Sequence, residues 1–412
     1  MNKLRILVWC PLVSAGGGVR LLARLLSALA VRQDIEAISL VTPQGGITRN
    51  QIDPEAWPKI KWCEFDAAPP PERLATRMKR RLLRCPSRLP GHEELLTQSR
   101  ENDLLYAFWP HRSDFPTVDL PVVCTFQDAT FFDFPEILGG KETLKEWHRA
   151  QQWFQGCAQV VVSSEATRTA LTRHFDLPRE RTEVIHHAIL PADSRATTQA
   201  DSPPSPALPE KYIIFPSNTT THKNHYNLLI AWSRFQMRDQ YPLLLVGYLT
   251  QLLNCKPREW PAMKGETPRL IGVIQRHGLQ ANKDYFALGY VPDDDIPNLV
   301  RRATALIMPT LSEGGGSFPI EEALSLGTPV LCSDIPVLRE HLAGRTARIG
   351  WFDPDSPESI QAALTDLFAH YDDYKQSALA GMNDPRPSWH DVADQYAATF
   401  RRAVEAYKNA RM

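Results

Sequence analysis

The chain has almost no excess of charge, with 46 lysines and arginines against 47 aspartates and glutamates and a net charge of −1 over 412 residues. That balance removes any global attraction to nucleic acid or another polyanion and leaves only local basic features to explain. Apolar runs are short as well. None approaches the ~20 residues that span a bilayer, which limits membrane contact to the periphery. The amino terminus, Met1-Asn2-Lys3-Leu4, passes straight into an apolar strand without the hydrophobic run and small-residue cleavage site of a signal peptide, so a cytoplasmic location is expected. Cysteines are few. The seven are scattered, with Cys10, Cys124 and Cys332 on or beside expected strands, and an odd number without close pairs argues for reduced thiols over disulfides or zinc.

What is present is an alternation of short apolar runs and helical patterns. Runs at 4–9, 35–41, 60–65, 104–108, 122–126, 160–163 and 184–188 are separated by helices such as Val19–Ala30 and Leu144–Cys157. This is the pattern of a parallel sheet. Residues 191–209, rich in Pro, Ser, Thr, Ala and Asp and without periodicity, read as a linker. The alternation then restarts with 212–215, 243–246, 285–288, 305–308, 330–332 and 347–349. The expectation is an α/β chain of two Rossmann-like domains, 1–190 and 210–394. Trp389, Val392, Ala393, Tyr396, Phe400 and Val404 recur at helical spacing and predict a closing helix.

The most informative block runs from Glu313 to Asp334. An apolar strand enters Gly314-Gly315-Gly316-Ser317, and a helix is expected to open near Pro319 with Glu321 and Glu322 in its first turn. Glycines allow backbone amides to approach a ligand closely, and a helix N-terminus adds unpaired donors and partial positive charge. Phosphate suits such a place. A carboxylate would repel it, so Glu313 and Glu322 are read as acceptors for hydroxyls, and phosphate with hydroxyls describes a nucleotide sugar. The plainer alternative is a helix start whose glutamates only complement the macrodipole.

A second phosphate candidate is Lys223, at the mouth of the helix Tyr226–Phe235, where a point charge beside helix amides would meet a diphosphate. Ser14 to Arg20, with Gly16, Gly17 and Gly18, follows the first strand and opens a helix. It is not the dinucleotide fingerprint: the later glycine slot is Leu21, and the second strand ends in Leu40-Val41-Thr42 without the acidic residue that holds a ribose. Thr125-Phe126-Gln127-Asp128 ends a strand, where open α/β sheets present their chemistry. Gln127 offers hydrogen bonds but no general base. His111 follows the 104–108 strand and is a candidate for an acceptor pocket, against the alternative of a surface loop histidine. Asp293 is placed to cap the helix after Gly289-Tyr290-Val291-Pro292. The basic helix Arg73–Arg84, with Leu74 and Met78 on one stripe, suits an anionic membrane surface or is simply a solvated face.

These segments, in this order, resemble the retaining glycosyltransferases of family 4, which have the two-domain GT-B fold. The likeness is most specific at Glu313 and Pro319-Ile320-Glu321-Glu322-Ala323, where this chain carries one residue more between the motif glutamates than the family does. We read the extra residue as a loop glycine. The resemblance then gives Glu322 a ribose, Glu313 the donor sugar, Lys223 the diphosphate, Gly17 and Gly18 the facing phosphates, and Tyr290 and Val291 the base. Asn218 stands where the family has an arginine, and Gln127 where it often has a histidine. Asp128 and His111 fall on the acceptor side. By the same likeness the closing helix, from about 395, returns to the first domain, and the donor lies in the cleft.

The implied reaction moves a hexose from a nucleoside diphosphate sugar, GDP-mannose first and UDP-sugars next, to a glycan or lipid-linked acceptor for a surface polysaccharide. The leaving diphosphate takes the acceptor proton. Neither metal nor cofactor is implied, and Asp293 with Asp295 and Asp353 with Asp355 read as helix-start and turn acids. Two other readings stay open: a nucleotide-sugar epimerase of similar architecture, and a non-catalytic nucleotide-sugar-binding subunit.

Overall fold

Two parallel sheets organise the molecule, as a computed structural model shows for residues 3–10, 17–47, 49–66, 91–189, 208–255 and 265–412. The basic segment 73–84, Gly16 and nearly all of 191–209 lie outside the described residues. The first sheet holds β1 (Leu4–Trp9), β2 (Ile35–Pro43), β3 (Ile60–Phe65), β4 (Leu104–Ala107), β5 (Val122–Phe126), β6 (Gln159–Val162) and β7 (Thr182–Val184) in the order β3-β2-β1-β4-β5-β6-β7. The second holds β8 (Ile213–Pro216), β9 (Leu243–Val246), β10 (Tyr285–Gly289), β11 (Ala305–Met308), β12 (Val330–Ser333) and β13 (Ile349–Phe352) in the order β10-β9-β8-β11-β12-β13. Strands covered by helices on both faces are apolar throughout rather than alternating, and β4, β5, β9, β11 and β12 are buried along their whole length.

Contacts divide the chain into two compact units, Met1–Ala188 with Pro387–Met412 and Ile189–Arg386. The helix Trp389–Asn409 belongs entirely to the first unit. Ser388 and Asp391 close its N-terminus as a capping box, and Trp389, Val392, Tyr396, Phe400 and Val404 are buried. Tyr396 Oη lies 3.0 Å from Thr125 Oγ1, which in turn lies 2.8 Å from Tyr106 Oη, so this helix is tied by hydroxyls to the middle of the first sheet.

Most strands lie where their apolar runs predict, and two are displaced. The run 184–188 pairs only over Thr182–Val184, although Ile185, Ala188 and Ile189 are buried beyond it. The run 347–349 belongs to Ile349–Phe352, whose Gly350 lies against Leu331 so closely that a Cβ would stand 2.1 Å from Leu331 Cδ2. Apolar character reports burial, and burial extends past the ladder. Another correction concerns the helix Ile296–Arg302: its N-cap is Asp295, without a side-chain cap bond, and not Asp293.

Each sheet has one place where consecutive crossovers leave in opposite directions, between β1 and β4 in the first and between β8 and β11 in the second. Ligands of open α/β sheets bind outside the carboxyl ends of strands at such points.

Candidate donor site and acceptor-side residues

In the second unit the loops after β8 and β11 are laced together at the switch point. Asn224, in the left-handed conformation at φ +59°, caps the helix His225–Arg234 and donates to the carbonyls of Pro309 (2.9 Å) and Pro354 (2.8 Å). Leu311 N donates to His222 O at 2.7 Å, and Thr310 Oγ1 to the same oxygen at 3.2 Å. These bonds leave Lys223 and Glu313 facing each other, with Lys223 Nζ 2.5 Å from Glu313 Oε1. Their side chains are 21% and 12% exposed, so the pair is sheltered yet open on one side.

Beyond Glu313 the glycine loop turns into the helix Phe318–Ser325. Gly316 has φ +146°, and a Cβ there would stand 2.5 Å from His341 Nδ1 and 2.7 Å from Ile189 Cδ1. Only glycine fits. Ser317 is the N-cap residue, buried, and its hydroxyl makes neither the usual cap bond nor any other. Pro319 lies in the first turn, a position that suits its fixed φ. The two adjacent glutamates of this helix differ. Glu321 is fully buried and held by Arg345 (2.6 Å) and Arg386 (2.8 Å), with His341 Nε2 at 3.0 Å. Burial pushes its carboxyl up, but the imidazole and the two guanidiniums outweigh that and bring it down to about 2. A carboxylate so engaged is structural, and Glu322, one position on, is also buried.

The other carboxyl ends of this sheet line up beside these. Asn218, after β8, accepts from Tyr248 N through Oδ1 at 2.8 Å and so joins the ends of β8 and β9. Gly289, at φ +79°, donates to Thr250 Oγ1 at 2.9 Å and turns the chain so that Tyr290 is 67% exposed, with Val291 half-buried. Tyr248, exposed at the end of β9, joins this row, and nothing in the sequence marked it out. His225, behind Lys223, is fully buried against Phe215; burial, and then the Lys223 charge, lowers it to about 3 and keeps it neutral.

In the first unit, Gly17 opens the helix Gly17–Ala30, and Gly18 leaves room for Trp109, since a Cβ at 18 would stand 2.7 Å from the indole. Gln127 ends β5 buried. Its carbonyl accepts from Ser163 Oγ, while its side-chain Nε2 has no hydrogen-bond partner. Asp128 Oδ1 accepts from Thr130 N at 2.9 Å and starts the turn that follows. His111 is not a surface residue: it is 2% exposed, with Nδ1 3.2 Å from Glu146 Oε1. Glu146, from the helix Gly140–Gly156, is a partner the sequence gave no reason to single out.

Among the described residues there is no cluster of three or more His, Cys, Asp or Glu that could hold a metal ion, and no helix long and apolar enough to cross a membrane.

Residues 198–380 match the family model of glycosyl transferases group 1. O-antigen chain mannosyltransferase B of Escherichia coli is 27% identical over 312 residues, covering 73% of this chain and 72% of that protein. The serotype-specific mannosyltransferase WbdA of Escherichia coli is 23% identical over 321 residues, 74% of this chain and 37% of its own length. The crystal structure of Anabaena HepE in complex with UDP and glucose superposes with a TM-score of 0.66 at 16% identity, over 97% of this chain and 100% of that one. Taken with the two parallel sheets, these likenesses show the GT-B fold and a chain similar to glycosyltransferases of group 1.

Proposed function

We propose that the chain is a retaining hexosyltransferase of surface polysaccharide synthesis whose donor is a nucleoside diphosphate sugar held by the second unit. The observation that carries the reading is the Lys223–Glu313 pair, 2.5 Å apart, beside a helix start that presents an unpartnered buried hydroxyl at Ser317. In this reading the diphosphate lies over the amides of Gly316, Ser317 and Phe318 and takes the charge of Lys223. Glu322 accepts from the ribose and Glu313 from the donor sugar. The base lies over Tyr290 and Val291, with Asn218 fixing the strand ends beneath. As the sugar–oxygen bond breaks, charge grows on the leaving diphosphate, and a fixed ammonium with helix amides stabilises that charge without reorganisation. The acceptor hydroxyl attacks on the same face and gives its proton to the leaving phosphate oxygen, so no side-chain base, metal ion or cofactor is required. Gly17, Gly18, Gln127, Asp128 and His111 are assigned to the first unit's share of donor and acceptor recognition.

The similarity to Escherichia coli mannosyltransferases favours GDP-mannose as donor and an O-antigen-type glycan or lipid-linked saccharide as acceptor. HepE, crystallised with UDP and glucose, keeps UDP-sugars next in line. The basic segment 73–84 is assigned to the inner face of an anionic membrane, which flotation with and without anionic lipid vesicles tests. A thermal-shift panel of GDP, UDP, ADP and TDP tests the donor reading. Selective stabilisation by GDP is expected; stabilisation by UDP alone would move the donor to a UDP-sugar, and no response to any of the four would overturn the reading.

A further inference from the structure

Two neighbouring rings in the first unit each bury a polar atom without a hydrogen-bond partner: Trp109 at Nε1 and His111 at Nε2. Their ring centroids are 6.1 Å apart and their planes are inclined at 80°. Both belong to the loop that leaves β4, on the carboxyl side of the first sheet's switch point. Unpaired buried groups cost about 1–3 kcal/mol each, so two together mark a place where something else completes the bonding.

The chemistry of the pair is specific. Glu146 spends both carboxylate oxygens on the loop: they accept from Arg112 N at 2.8 and 2.9 Å, and Oε1 also faces His111 Nδ1 at 3.2 Å. A carboxylate accepts only, so Nδ1 carries a proton, and in the Nδ1–H tautomer Nε2 presents a lone pair. The Trp109 indole can only donate. One donor and one acceptor on neighbouring rings match a hydroxyl group, which accepts from the first and donates to the second. Phe126 and Phe131 pack against the His111 ring at 5.0 and 5.3 Å and make the surroundings of the imidazole apolar. The loop is also held in a costly shape. Arg112 has φ +62°, a conformation a non-glycine residue adopts only when its surroundings impose it, and here the imposing group is Glu146.

We infer that Trp109 and His111 form a hydroxyl-recognition site for the sugar acceptor, with Glu146 as the positioning residue that fixes the imidazole tautomer. The inference rests on the proposed glycosyl transfer, in which a hydroxyl-bearing saccharide must be held apart from the donor. The Gln127 Nε2, one residue beyond Phe126 and equally unpartnered, is a second donor at the carboxyl ends of the same sheet.

The test is an NMR titration of uniformly 15N-labelled full-length chain with methyl α-D-mannopyranoside, following the Trp109 indole and His111 ring nitrogens. Trp109→Phe identifies the indole signal by its loss. The expected result is a saturable shift of both resonances, with an apparent Kd about tenfold weaker in Glu146→Gln, the equivalent of one hydrogen bond. An unchanged Kd in a folded Glu146→Gln variant would remove the positioning role; if that variant does not fold, the wild-type titration decides alone. Unmoved resonances in a sample that still binds GDP or UDP would overturn the acceptor site and leave the donor reading standing. A sample that binds neither nucleotide nor hexoside would sink both.

Discussion

Lys223 and Glu313 are 90 positions apart in the chain and in contact in the fold. Each was recognisable beforehand from its place at a strand end beside a helix start, but their pairing was not, because it depends on the Asn224 anchors to Pro309 and Pro354. If Lys223 neutralises the leaving diphosphate, Lys223→Ala should lower kcat/KM by about 100-fold or more, the scale for removing one preorganised charge partner. Glu322→Ala should have a comparable effect through the ribose, and wild-type kinetics in either variant would cancel that role. Gly316 gives a purely steric forecast. Gly316→Ala must displace His341 or strain a left-handed backbone, and should cost about 1–3 kcal/mol in chemical denaturation while weakening nucleoside diphosphate binding. Residues invisible to sequence reading share one property: Glu146, Arg345 and Arg386 act through partners far along the chain, and nothing local distinguishes them from ordinary surface charges.

At the scale of elements, the strands were the most legible part, since a run such as Ala305–Met308 is apolar for the same reason that it is covered on both faces. The helix Phe318–Ser325 was legible from its glycines and Pro319, but the division of labour between its adjacent glutamates was not. Two cations, Arg345 and Arg386, with the His341 ring beside them, hold Glu321 in the interior. Glu321→Ala would leave those cations buried without their carboxylate, and a loss of about 3–5 kcal/mol is expected in urea denaturation. The pH dependence has a definite sign. Glu321 titrates below its ordinary range, so its contribution is complete above about pH 4.5 and disappears as pH falls through about 2. His187 and His225 act sooner. Burial holds them neutral, at about 4 and about 3, so stability is unaffected above the ordinary histidine range and falls below about pH 6.5 as the unfolded chain takes up protons. By pH 5 each should have cost its own unit about 2 kcal/mol, and His225→Phe should flatten the acid slope of the second unit only.

At the scale of the whole molecule, the repeated alternation of strand and helix on either side of a proline- and serine-rich stretch was enough to expect two parallel sheets, and the strand orders place one switch point in each. What the pattern could not reveal is where the last helix docks: its buried face is as apolar as any other, and its destination rests on single contacts such as Tyr396 with Thr125. The second unit begins and ends on its own glycine loop. Ile189, its first residue, packs against Gly316, and Arg386, its last, holds Glu321 one turn further on. Because the proposed chemistry lets the leaving diphosphate carry the proton and asks nothing of a divalent ion, transfer should survive excess EDTA at an unchanged rate, and a strict Mg²⁺ or Mn²⁺ requirement would refute that part of the mechanism.

The most direct measurement of the central claim is a crystal structure of the full chain with GDP-mannose, or with whichever nucleotide sugar the thermal panel selects. The diphosphate is expected against the amides of residues 316–318, with an oxygen within about 2.7–3.2 Å of Lys223 Nζ and the ribose at Glu322. A nucleotide bound with its phosphates away from the start of the Phe318–Ser325 helix would contradict it.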